Sequence, residues 1–179
     1  MKELRVEDVL KALKLRLDEN NLLHVHRTSE VIPKMGFIFN EPITHHELEH
    51  LISKYNLTLP QEYRDFLLVH NGAKFFTDEY GDSFSLYSIE EMIHEKHLME
   101  GYCDIHYFLK SCYPIGYMTD FGTLLLDHSK GKQSIKGNML LHSIETINLN
   151  CDLKTWLERM IIAQGVAYWE WYSKVVEFD

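Results

Sequence analysis

The most explicit chemical pattern in the chain is His46-Glu47-Leu48-Glu49-His50. It matches H-E-x-x-H, in which two histidines one helical turn apart hold zinc and the glutamate activates a water. On a helix, though, Leu48, Leu51, Ile52 and Tyr55 form the apolar stripe, and His46 and His50 then point nearly the opposite way. A catalytic zinc also needs a third protein ligand, outer partners for its ligands and a cleft. No downstream ligand pattern follows. A zinc hydrolase on His46, Glu47 and His50 is therefore the remote reading, and solvated histidines the simpler one.

Other reactive groups are weaker. Cys103 and His106 are neighbours in sequence, but catalytic pairs meet in space, so an idle thiol is the simpler account. His24 and His26 share one face of a short strand candidate and read as solvated. No G-x-S-x-G, Walker loop or G-x-G-x-x-G occurs. No catalytic residue, metal or cofactor is expected.

Groups suited to binding are easier to find. Residues 74–82 read as a loop rich in acidic and aromatic side chains, and loops on a rigid scaffold often carry function. Asp78, Glu79, Tyr80 and Asp82 there, with Asp120 on a later turn, are the candidate partner-binding residues. The formal net charge of −9 argues against non-specific nucleic-acid binding, which needs phosphate neutralisation by Lys and Arg, and favours a basic protein partner. Tyr168-Trp169-Glu170-Trp171-Tyr172 is a second binding candidate, because Trp and Tyr dominate many interfaces. The simpler expectation is that these aromatics cover the N-terminal hairpin or the first helix.

Composition bounds the rest. A chain of 179 residues, 45% hydrophobic and 25% charged, reads as one globular domain, 1–179. Three widely spaced cysteines imply no disulfide framework and fit a reducing compartment as small buried hydrophobes. No apolar run resembles a secretory signal or a membrane span, so the cytoplasm is expected.

Periodicity supplies the elements. Val6, Val9, Leu10, Leu13 and Leu17 mark a first helix over 3–18, and Leu22–Arg27 and Met35–Phe39 are strands of an N-terminal hairpin. Thr44 and Glu47 form a capping-box pattern for a helix over 45–55. The next helix organises the chain: Pro60 suits its first turn, and Glu62 lies near the positive end of its dipole. Tyr63, Phe66, Leu67 and His70 share one face, and Asn71-Gly72 tolerates the left-handed turn that ends it. Phe84–Tyr87 alternates as a strand before a helix capped by Ser88 with Glu91. From Cys112 to about His142 the chain reads as β-structure, with turns at 119–122 and 130–132. Asn150 or Asp152 then caps a long C-terminal helix with Leu153, Trp156, Leu157, Met160, Ile161, Gln164 and Tyr168 on its buried stripe. The pattern is α+β, an antiparallel sheet packed against helices.

Leu59-Pro60, Tyr63, Phe66-Leu67 and Asn71-Gly72 together resemble the signature of the SUKH superfamily, which includes the yeast cell-wall assembly regulators. Pro42-Ile43-Thr44, Phe84–Glu91, Pro114-Ile115-Gly116, Asp120-Phe121-Gly122 and Leu125-Leu126-Asp127 are similar to further stretches of that family. The resemblance covers about residues 42–162, leaving extensions over 1–41 and 163–179. It departs at Ala73, where a second glycine is common, and at Phe121, in a turn that usually carries small or acidic residues. The resemblance implies a SUKH-like fold. Because most bacterial members are immunity proteins, it also implies a non-enzymatic antitoxin that binds a cognate toxin domain, often a nuclease. A regulatory scaffold like the yeast members is the alternative, and the oligomeric state is left open.

Overall fold

The apolar spacing of the first helix becomes a buried stripe: Val6, Val9, Leu10 and Leu13 of α1 (Val6–Lys14) all face the core. The computed structural model describes residues 4–26, 32–101, 110–129 and 137–172. After α1 come β1 (Leu22–His24), β2 (Lys34–Phe39), α2 (His45–Lys54), α3 (Gln61–Val69), β3 (Ala73–Asp78), β4 (Gly81–Leu86) and α4 (Ile89–Glu100). They are followed by β5 (Cys112–Met118), β6 (Gly122–Asp127), β7 (Met139–His142), β8 (Thr146–Asn148) and α5 (Leu153–Ile162). A 3-10 helix, Tyr168–Tyr172, ends the described chain.

Among the described residues, eight strands form one antiparallel sheet in chain order, β1 to β8. The fold is α+β, with the helices inserted between strands that remain neighbours. The N-terminal hairpin is present, with Leu22 opposite Gly36 and His24 opposite Lys34. The pair Phe37–Phe75 joins it to the rest of the sheet.

One sheet face carries the main core. Phe75 stacks on its cross-strand partner Phe84 at 4.5 Å, and Trp156 of α5 meets Phe84 edge-on at 5.1 Å. Helices α1, α3 and α5 pack together over this face. Tyr63, Phe66 and Leu67 of α3 are fully buried, and the Tyr63 hydroxyl donates to the Tyr87 carbonyl at 2.8 Å. Met99 of α4 forms a smaller cluster with Cys112, Leu125 and Leu140. Since Leu125–Leu140 alternates with Leu124–Leu141, that cluster lies on the opposite sheet face.

The junctions explain several sequence signatures. Thr44 and Ser88 cap α2 and α4, each reciprocated by the glutamate three residues on. Gly72 has φ 98°, and a Cβ there would meet the Asn40 side chain at 2.7 Å. Ala73 needs no such freedom, because it is an ordinary strand residue paired with Leu86. In β5, Pro114 borders a bulge, where a missing N–H is tolerated. A Cβ on Gly116 would lie 2.2 Å from the Ser85 carbonyl, so close packing of β4 on β5 requires glycine there.

Several expectations are corrected. Residues 74–82 are not a loop: β3 and β4 pair from Ala73–Leu86 to Asp78–Gly81, so only Glu79-Tyr80 forms the turn. Consecutive Phe75 and Phe76 hid the strand, since alternation should expose one of them. Both are buried because Phe76 adopts φ 55° at a bulge opposite β2. The C-terminal helix is shorter than expected. Gln164 (φ 55°) and Gly165 (φ 80°) turn left-handed after Ile162 and break it. Helix α1 likewise ends at Lys14, and Leu17 packs on the core from outside it. Tyr55 is exposed, because it caps α2 from beyond the last turn and sits under the Lys54 ammonium. Pro60 stands one position before α3, not within it. The turn expected at 130–132, together with Cys103 and His106, lies outside the described residues.

Candidate functional site

Two hairpin turns, β3–β4 and β5–β6, lie side by side because their strands are neighbours in the sheet. Thr119 ties them together: its hydroxyl donates to the Asp82 carbonyl at 2.6 Å, and its amide to the Ser83 carbonyl at 3.2 Å. The chain after α5 returns against them. Its left-handed turn is held by the Gly165 amide donating to the Met160 carbonyl at 2.9 Å. Trp169 then meets Phe121 of the β5–β6 turn edge-on, with ring centroids 5.7 Å apart. Tyr168 beneath it is buried, with its hydroxyl 3.6 Å from the Cys151 sulfur and the Arg159 guanidinium 5.6 Å from its ring centre. Burial pushes the Tyr168 phenol far above its ordinary pKa.

Between these three walls is a groove of about 340 Å³. Met35, Phe76 and Met118 form a buried apolar floor, and Phe121, Val166 and Ala167 line one side. Asp78, Tyr80, Asp82 and Asp120 line it too, so four of the five residues expected to bind a partner meet here. Glu79 is exposed on the adjoining turn without lining the groove. The Asp78 carboxylate accepts from the Tyr80 amide at 2.8 Å and shapes the turn, leaving the Tyr80 ring 90% exposed. Asp82 lies 3.7 Å from the Lys74 ammonium. Asp120 holds φ 68°, a conformation that Asp and Asn tolerate better than most residues.

Glu170, Val166 and Phe121 escaped the sequence reading of this site. The departure at Phe121 was the available signal: a large ring in that turn needed a partner, and the aromatic tail supplies Trp169. That tail was expected to cover the N-terminal hairpin or α1. The extensions do meet, as the His26 amide donates to the Gln164 side chain and α1 packs on α5, but Trp169 itself goes to the β5–β6 turn.

A second groove, about 460 Å³, runs along α2 and is lined by His46, Glu47, His50, Asn71 and Glu90 with Pro42, Ile43 and Leu51. Both histidines are exposed. The Glu47 carboxylate accepts from the Thr44 hydroxyl at 2.6 Å and the Thr44 amide at 3.2 Å. The hydroxyl bond is the main reason its pKa is lowered. It is thus engaged in capping its own helix. Among the described residues, no group of three or more His, Cys, Asp and Glu is placed to hold a metal ion. Asn71 has the structural task here: its side-chain oxygen accepts from the Ile89 amide at 2.9 Å, and its NH2 donates to Glu90 at 3.0 Å. It joins the end of α3 to the start of α4.

Comparison with known proteins settles the lineage. The model of the SMI1 / KNR4 family (SUKH-1) matches residues 42–159. The chain belongs to this family. Two relatives from Bacillus subtilis (strain 168) are similar over most of their length. Uncharacterized protein YobM is 28% identical over 174 residues, covering 93% of this chain and 91% of that protein. Uncharacterized protein YnaB is 28% identical over 146 residues, covering 79% and 92%. The SUKH-1 match takes in both hairpin turns of the first groove. It stops before the wall formed by Gly165–Glu170, which lies outside the matched stretch. Among the described residues, no helix is long and apolar enough to cross a membrane.

Proposed function

We propose that this SUKH-1 protein is a non-enzymatic immunity protein, one that neutralises a cognate toxin domain by stoichiometric binding. The observation that carries the reading is the acidic surface built by the two hairpin turns on a SUKH-1 scaffold, where Asp78, Tyr80, Asp82 and Asp120 surround one groove and Glu79 adjoins it. These five are the proposed partner-binding residues. A basic toxin, with a nuclease as the first chemistry to test, would bring phosphate-binding Lys and Arg to this face. Complementary charge then speeds encounter and sets register. Docking over the toxin's cleft blocks substrate, and no bond is made or broken by the immunity protein.

The test is to look for a toxin domain encoded beside this gene and to co-express it with this protein in the cytoplasm. Restored growth and a one-to-one complex on gel filtration are expected. Absence of both protection and complex would defeat the reading. A complex with an unrelated cellular protein, and none with the toxin, would favour the regulatory scaffold.

A further inference from the structure

The first groove is more specific than an acidic patch. Its floor is apolar (Met35, Phe76 and Met118), and the turn-capping Tyr80 ring stands free at its mouth. Among the described residues no basic side chain lines it, whereas Asp78, Asp82, Asp120 and Glu170 do, with the Lys74 ammonium 3.7 Å from Asp82 outside the lining. At about 340 Å³ it is too small for a helix, whose diameter with side chains is about 10–12 Å, but its volume can take a long side chain.

We propose that the groove between the β3–β4 turn, the β5–β6 turn and the Gly165–Glu170 wall receives an arginine side chain projecting from a loop of the protein partner. This deepens the immunity reading and rests on it for the partner's identity, though not for the binding chemistry. An aliphatic stem suits the apolar floor. A planar guanidinium can pair with a carboxylate through two parallel hydrogen bonds and stack on an aromatic face, which a lysine ammonium cannot do in the same way. Because the third wall lies outside the family-matched residues 42–159, partner selection depends on the extension, with Val166 and Glu170 shaping the slot.

The test uses the full chain and a blocked Gly-Arg-Gly peptide, followed by amide shifts in two-dimensional NMR, against the same peptide with citrulline replacing arginine. The arginine peptide should move amides of 78–83, 119–122 and 165–170. The neutral citrulline peptide should bind about tenfold more weakly, as expected for losing a charge-assisted hydrogen bond. Asp120→Asn should weaken binding similarly at an unchanged melting temperature, since Asn also accepts the left-handed backbone at 120. Val166→Trp, which fills the slot without altering charge, should abolish binding. Equal binding of the citrulline peptide, shifts confined elsewhere, or indifference to Val166→Trp would overturn the proposal. Toxin protection without peptide binding would defeat the groove and leave immunity standing. Peptide binding without protection would do the reverse.

Discussion

The two grooves make an instructive pair. The one along α2 contains a literal H-E-x-x-H match, yet its glutamate caps its own helix and its asparagine joins two other helices. The one at the hairpin turns matches no catalytic or metal motif, although Asp120-Phe121-Gly122 beside it resembles a family stretch. It gathers residues from β2, β3, β4, β5, the two turns and the segment after α5. A short motif reports what one helix could present, whereas a site requires several elements to converge and something for the side chains to be free to do. Local pattern and usable chemistry can therefore lie in different places.

The largest effect tests what the two grooves share. Helix α3 supports both, since the Ile43 amide beside the α2 groove donates to the Leu67 carbonyl, while α3 packs against α5, which leads into the third wall of the hairpin groove. Phe66→Ala or Leu67→Ala should each cost about 2–5 kcal/mol by urea unfolding, because both side chains are fully buried. Unchanged midpoints would show that neither groove depends on this core.

A kinetic measurement separates the grooves. Replacing Glu79 with Lys and Asp78 and Asp82 with Asn keeps the turn's side-chain acceptor at 78 while removing charge. Association with the cognate toxin domain should slow by about tenfold and lose salt dependence, with little change in melting temperature. Identical rates and salt slopes would remove the hairpin turns from the interface.

Within the α2 groove, Asn71→Ala should destabilise by about 1–2 kcal/mol in thermal unfolding, because the Ile89 amide loses its side-chain acceptor and Glu90 its donor. A loss no larger than that of an exposed surface change would show that this joint is dispensable.

A smaller effect concerns Glu62, whose carboxylate accepts from the Leu153 amide at 3.1 Å and so anchors the start of α5, the helix that leads into the third wall of the hairpin groove. Burial, and then the nearby Asp152 charge, raise its pKa above the ordinary 4.5. The folded state therefore holds this proton more tightly than the unfolded state. The resulting stability is fully present below 4.5 and is lost as pH rises through the folded value. Glu62→Gln should flatten stability against pH just above 4.5, and an unaltered profile would show that Glu62 does not contribute to it.

The smallest effect belongs to the literal motif. His46→Ala with His50→Ala should leave folding and toxin protection unchanged, because both side chains are exposed on the far side of α2 from Leu48. Loss of protection with the fold intact would move the interface to the α2 groove and reverse the comparison.

The sequence by itself determined most of the scaffold. Periodic apolar residues and capping pairs marked α1 to α4 because those signals act over one or two helical turns. The N-terminal hairpin was legible from alternation in Leu23, Val25 and the Met35–Phe39 run. Asp78, Tyr80, Asp82 and Asp120 could be named as acidic or aromatic positions, but their meeting around one groove could not. Their proximity comes from β4 pairing with β5, a contact between residues about thirty apart in sequence, such as Ser85 and Tyr117. The bulge at Phe76 and the left-handed turn at Gln164 were hidden for a related reason. At Phe76 and Gln164 the packing holds a non-glycine residue at positive φ, against propensity, whereas Gly165 was itself a readable helix-stop signal. Tertiary structure alone decided that Trp169 covers Phe121, that the Asn71 side chain ties the end of α3 to the start of α4, and that the groove acquires its third wall.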